Sequence, residues 1–336
     1  MQTAFLDSSN IDKAAEYLKS GEVVAFPTET VYGLGADATN EEAVRKIFEA
    51  KGRPSDNPLI IHVASVKQME RYVESVPDVA RKVISHFWPG PCTLVLNKKG
   101  PIASSVTGGM ETIGVRMPSH PVALALIDKV GVPLAAPSAN SSGKPSPTTA
   151  LHVKRDLEGK IKAIVDGGAT GVGLESTVLD LTDPQKPTIL RPGGVTREEL
   201  EAVLGHVWLD AHLSDDSAAP KSPGMKYKHY SPEKPVWVLP ESLAEAKEIL
   251  DQLEVEGENV GLLASEDWLK HLKTDRRKNC SLGDKNRPQQ AAARLFSALR
   301  ELDDEDISVI LVEPYQKTGI GTAYMNRLEK AASRIL

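Results

Sequence analysis

Cysteine is nearly absent from this chain of 336 residues, where only Cys92 and Cys280 occur. Two thiols so far apart exclude a disulfide framework and a cysteine-type zinc site, and they fit a reducing compartment. Aromatic residues are scarce at 5%. Long apolar runs are missing as well. None approaches the roughly 20 residues that span a bilayer, and the opening MQTAFLDSSNIDK has neither the charged nor the apolar region of a secretion signal. These absences point to the cytoplasm and away from a membrane, and they make the N-x-S triplets at Asn140 and Asn279 chance matches. Positive charge is not in excess: the net charge of −6 excludes a generic nucleic-acid-coating protein. The usual nucleotide motifs are missing too. SGKPS puts Pro145 where a P-loop needs its hydroxyl, and GGATGVGLES lacks the Rossmann glycine spacing. No His-Glu-x-x-His, other metal cluster or nucleophile-elbow serine is found.

What is present reads as a globular protein of more than one core. Hydrophobic content is 40% and charged content 26%, and the length suggests two domains. Apolar runs at EVVAF, LIIHV, CTLVLN, TIGVRM, VPLAA, AIVDG, STVLDL and TILRPG predict strands. Helices are expected at 10–20, capped by Asn10, at 40–52 between Asn40 and Gly52, and at 66–75, 78–87, 120–130, 148–158 and 196–204. Strand and helix patterns mix irregularly, so residues 1–208 predict an α/β domain with a mixed twisted sheet and flanking helices rather than a doubly wound one. Residues 209–235 are proline-rich and aperiodic, which predicts an interdomain linker. Residues 236–336 then predict a small Rossmann-like α/β domain, with strands VWVL, VGLLA and ISVILVE and helices at 241–254, 288–302 and 321–335.

Candidate binding residues lie where apolar strands run into polar loops, the usual place for ligand loops in α/β folds. VPLAA leads into APSANSSGKPSPTT, residues 136–149. PTETVYGLG, read as a loop, offers Thr28, Thr30 and Tyr32 ahead of two glycines that permit close backbone approach. KGRPSDNPL sets Lys51 and Arg53 beside a helix end, and LRPGG ends a strand with Arg191. Lys51, as a cation at a helix C-terminus, is first of all explained as a complement to the helix dipole. Arg116, inside a strand, either pairs with a carboxylate or faces a polar cleft. His62 is by default a satisfied core or strand-edge residue. Several cations converging at strand ends would form a phosphate site. Residues alone therefore indicate an anion or nucleotide pocket without a covalent nucleophile.

The motifs FPTETVYGLG, KGRPSDNPLIIHV, WPGPCTLVL, GVRMPSHP, PSANSSGKPSPT, EST, LRPGG and SPGMKYKHYSP, in that order, resemble the L-threonylcarbamoyladenylate synthase family. The form resembled is the long one, with a YrdC-like domain and a smaller C-terminal domain. The resemblance covers about residues 10 to 232 and implies a concave ligand cleft. It implies that L-threonine, bicarbonate and ATP give threonylcarbamoyl-AMP and pyrophosphate, the first step of threonylcarbamoyladenosine formation in tRNAs that read codons beginning with A. The product would pass to the tRNA threonylcarbamoyl-transferring machinery. It further implies that Thr30, His62, Arg116, Ala136 and Ser176 hold threonine or its carbamate. Lys51, Arg53, Asn57, Thr112, Ser138, Asn140, Ser146, Arg191 and Tyr230 would hold ATP, and Mg²⁺ is expected on its phosphates. No residue is expected to act covalently, so Lys51 and Arg53 would contribute through charge. The second half of the linker, KSPGMKYKHYSP, carries Lys221, Lys226 and Lys228 and would serve as an active-site lid. A different class of function, a double-stranded-RNA or tRNA-binding module, sits poorly with 22 Lys and Arg against 24 Asp and Glu in residues 1–208.

Overall fold

The apolar runs become strands because the folded chain buries their side chains alternately on two faces. In the computed structural model, which describes residues 2–54, 57–210 and 230–336, Val24 and Phe26 enter one apolar cluster while Ala25 enters another. Ala163 and Val165 are likewise parted from Ile164. That period of two is what a sheet covered by helices on both sides requires. Each fully buried Leu, Ile or Phe on these faces contributes roughly 1.5–3 kcal/mol.

The chain forms two units. The first comprises residues 1–142, 147–171 and 175–227. Its strands are β1 (Ala4–Asp7), β2 (Val24–Phe26), β3 (Gly33–Asp37), β4 (Ile60–His62), β5 (Cys92–Asn97), β6 (Thr112–Arg116), β7 (Leu134–Ala135), β8 (Ala163–Asp166), β9 (Thr177–Asp180), β10 (Thr188–Arg191) and β11 (Trp208–Leu209). They lie in the order β1-β8-β2-β3-β7-β4-β6-β5-β9-β10-β11. Parallel pairs such as β4 with β6 are interspersed with antiparallel ones such as β5 with β6. The mixed sheet expected from the irregular pattern is therefore present.

The helix Glu41–Lys51 shows how sequence fixes the site's frame. Asn40 accepts a hydrogen bond from the Ala43 amide, and Glu41 and Glu42 occupy the positive first turn. Gly52 stops the helix with φ 63°, and the Arg53 amide bonds back to the Phe48 carbonyl. Lys51 is thereby delivered to the helix end.

The second unit comprises residues 228–336 together with 143–146 and 172–174. Its strands are β12 (Val236–Val238), β13 (Val260–Ala264), β14 (Lys278–Ser281), β15 (Val309–Val312) and β16 (Arg334–Ile335). All pairs are parallel, in the order β14-β13-β15-β12-β16. The open parallel sheet matches expectation, and its strand order differs in one respect from the dinucleotide-binding arrangement. A dinucleotide fold places its first two strands side by side, whereas here β15 lies between β12 and β13.

Other differences are local. PTETVYGLG is a loop only to Tyr32, since β3 begins at Gly33 and pairs with β2. Gly35 serves packing there, because a Cβ would come 2.7 Å from the Phe26 ring. The helix expected at 66–75 ends at Met69. Asn10 stands at its helix start without a side-chain capping bond. Strands β1, β11, β14 and β16 and the helices Ser104–Thr107 and Glu266–Leu272 were not anticipated. The lid assigned to residues 221–232 falls mostly outside the described residues.

Candidate active site

Strands β4, β6 and β7 bring the first group of expected residues together by register. His62 pairs with Arg116 across β4 and β6 and with Leu134 across β4 and β7. The Ala136 amide donates to the Ile60 carbonyl. Arg116 is 4% exposed. Its Nε donates to the Gly90 carbonyl at 3.2 Å and one terminal nitrogen donates to Thr30 Oγ1 at 2.9 Å. Thr30 Oγ1 lies 2.8 Å from Thr28 Oγ1, which donates to the Val31 carbonyl.

The carboxylate partner that a strand-borne arginine calls for is internal. Glu29 Oε1 stands 2.6 Å from Arg116 Nη2. The contact is not aligned as a hydrogen bond, and both Glu29 oxygens are buried without a hydrogen-bond donor. Sequence reasoning passed over Glu29. The available signal was an acid flanked by two threonines at a strand end.

His62 is fully enclosed. Burial, reinforced by the Arg116 charge, lowers its pKa to about 3, so the ring is neutral at physiological pH. Its Nδ1 has no hydrogen-bond partner, and Phe26 meets the ring edge-on at 6.3 Å. Burial likewise pushes the Cys92 thiol up to about 12, which removes it as a nucleophile.

Ser176 and Arg191 form a second group at the ends of β9 and β10. Arg191 donates twice to the Ser176 carbonyl, at 3.2 and 2.9 Å, and once to Ser176 Oγ at 3.3 Å. Ser176 Oγ lies 2.8 Å from Thr93 Oγ1. Gly193 makes this closeness possible. A Cβ there would sit 2.3 Å from backbone atoms of Ser176 and Thr177.

The third group is the loop after β7. Lys51 Nζ reaches the carbonyls of Ser138 at 2.5 Å and Asn140 at 2.6 Å, and its own carbonyl accepts the Ser142 amide. Ser138 Oγ donates to Asn140 Oδ1 at 2.5 Å. On the other side the Leu34 and Ala139 amides bond to Pro137 and Tyr32 carbonyls. The segment APSANSS is thus a built loop, not slack. Arg53 donates to the carbonyl of Asn57 at 3.2 Å. Asn57 is fully buried, yet both polar atoms of its side chain lack a partner. Thr112 borders a small apolar cavity with Ile60, Val95, Gly114 and Val178. Ser146 and Tyr230 belong to the second unit, where Tyr230 stacks on Phe296 at 5.1 Å. Among the described residues no group of three His, Cys, Asp or Glu side chains could hold a metal. None of their helices is long and apolar enough to cross a membrane.

Buried polar atoms without partners are costly and rare. Among the described residues, six of those belong to Glu29, Asn57, His62 and Arg116. Three of these four residues are the ones that sequence motifs single out. The arrangement offers neutral and cationic donors and one carboxylate.

A family model described as "Telomere recombination", covering Sua5, YciO and YrdC proteins, matches residues 16–193. A second, described as the threonylcarbamoyl-AMP synthase C-terminal domain, matches residues 195–333. The threonylcarbamoyl-AMP synthase of Bacillus subtilis is 49% identical over 96% of this chain and 92% of its own length. That of Pyrococcus abyssi is 47% identical over 95% and 93%. The crystal structure of P. abyssi Sua5 complexed with L-threonine superposes with a TM-score of 0.93 at 44% identity, covering 100% of this chain and 99% of that one.

Proposed function

The chain belongs to the threonylcarbamoyl-AMP synthase family, and from that premise we propose that it condenses L-threonine, bicarbonate and ATP into threonylcarbamoyl-AMP, releasing pyrophosphate and water. In class it is then a nucleotidyltransferase. The observation that carries the reading is the concentration of unpartnered buried polar atoms on Glu29, Asn57, His62 and Arg116, which a polar substrate would satisfy.

Chemistry of this kind needs positioning and charge more than a covalent catalyst. Threonine's amine adds to bicarbonate, loses water and becomes a carbamate. A carbamate oxygen then attacks the α-phosphorus, and pyrophosphate leaves. Arg116, with Thr30 locked to it, suits the threonine carboxylate. Neutral His62 and Ser176 suit its polar groups, and the Ala136 backbone closes that end. Arg53, Asn57, Thr112, Ser138, Asn140, Ser146, Arg191 and Tyr230 are assigned to ATP. Lys51 is assigned there as the group that holds the loop carbonyls. Mg²⁺ is expected on the ATP phosphates, which supply most of its ligands. The product passes to the enzyme that modifies tRNA, in the cytoplasm. An RNA-binding role gains nothing from the near balance of charge in residues 1–208.

The test is product identity. With ¹³C-bicarbonate, L-threonine and MgATP, mass spectrometry should find a nucleotide heavier than AMP by one labelled threonylcarbamoyl group. A product that carries no label would overturn the reading.

A further inference from the structure

Glu29 has no place in the assignments above, yet it is the most unusual group in the first unit. Its carboxylate oxygens are buried, accept no hydrogen bond, and touch one cation, Arg116, at 2.6 Å. Removing a carboxylate from water is expensive unless hydrogen-bonded partners replace the water. Arg116 contributes only a misaligned contact, because its Nε and other terminal nitrogen are committed to Gly90 and Thr30. The carboxylate is therefore held ready with unused acceptor capacity. Arg116 Nη2 is in the same condition, with no hydrogen bond of its own.

An α-amino acid supplies the two complementary groups on one carbon. Its carboxylate completes a guanidinium, and its ammonium completes a carboxylate. We propose that Glu29 is the ammonium seat of the threonine site: the substrate zwitterion takes the place of the direct Arg116–Glu29 contact, with its carboxylate on Arg116 and its ammonium on Glu29. This rests on the reading of Arg116 as the threonine carboxylate's partner. It explains why a site built for an anionic substrate group keeps a buried anion within reach of its arginine. It also gives the site discrimination. A ligand without an ammonium leaves Glu29 unpaired, and a buried polar group left unpaired rejects strongly. Glu29 then sets the position of the nitrogen that, once its ammonium has given up a proton, adds to bicarbonate and becomes the carbamate nitrogen.

The experiment is calorimetric titration of the full chain with two ligands. One is L-threonine, and the other is its deaminated analogue, 3-hydroxybutanoate of matching stereochemistry, which offers Glu29 no donor at the α-carbon. Wild type should prefer threonine by about ten- to a hundredfold. Glu29→Gln should bring that ratio to near one, chiefly by weakening threonine. Glu29→Asp keeps the charge but withdraws it by a methylene, so it should fold and retain an intermediate ratio. Should Glu29→Gln fail to fold, the Glu29→Asp ratio decides. If Glu29 only braces Arg116, both ligands weaken equally and the ratio stays at the wild-type value, which overturns the proposal. If wild type binds neither ligand, the threonine reading itself fails, an outcome distinct from an unchanged ratio.

Discussion

Lys51 ends a helix, where a cation ordinarily complements the dipole, but its ammonium grips the carbonyls of Ser138 and Asn140. We therefore expect Lys51→Met, which keeps the stem and loses the charge, to leave buried carbonyls unpaired at about 1–3 kcal/mol. Urea unfolding should show that loss, and ATP titration should show weaker binding. Lost ATP affinity with unchanged stability would instead make Lys51 a direct phosphate ligand. His62 gives a pH prediction. Its folded pKa of about 3 lies below the ordinary 6.5, so below 6.5 the unfolded chain takes up a proton that the folded chain refuses. The stability tied to the neutral ring is complete above pH 6.5 and is lost as pH falls towards 3. From pH 7 to 5 that amounts to about 2 kcal/mol. Unfolding measured at both values should show a smaller loss in His62→Asn than in wild type, and equal losses would contradict the assignment. Much of this scale was legible, since Arg116 and Asn57 could be named from motifs and prove buried with unpartnered atoms. Glu29 was not legible, because only the fold brings a loop acid against a strand arginine 87 positions on.

At the scale of elements, the features that could be read carried their own punctuation. The helix Glu41–Lys51 has a cap, an acidic first turn and a stopping glycine, and the helix Asp78–Phe87 matched its expected bounds. The strands that escaped notice, such as β11 and β16, have two residues each, too few to show a period. PTETVYGLG misled because Gly33 and Gly35 imitate a loop. Glycine is required there by the Phe26 ring, which no local pattern reveals. Gly193 is the corresponding feature at the β9 and β10 ends. Gly193→Ala would force its Cβ into the Ser176–Thr177 backbone, a clash with no flexible side chain to yield. We expect it to cost about 1–3 kcal/mol and to weaken threonine binding through Ser176. Thermal melting and threonine titration would check both effects. Wild-type values for both would mean that the loop shifts freely.

For the whole molecule, two cores matter. The large apolar clusters of the first unit contain no residue beyond Val207, and that of the second begins at Trp237. A chain cut after Asp210 should therefore still melt cooperatively. It should nevertheless lose at least about tenfold in turnover, because residues 143–146 pack within the second unit, where Arg300 donates twice to the Pro145 carbonyl. Full turnover by the shortened chain would confine the function to the first unit. A two-domain α/β protein with a mixed first sheet could be read from the sequence. The strand order β14-β13-β15-β12-β16 could not, because hydrophobic pattern reports burial and not neighbours. The central claim, that this molecule adenylates a carbamate made from threonine, is tested most directly by measuring pyrophosphate release with each reactant omitted in turn. Release should require L-threonine, bicarbonate and MgATP together and fall to background when any one is missing. Undiminished release without threonine would contradict the account.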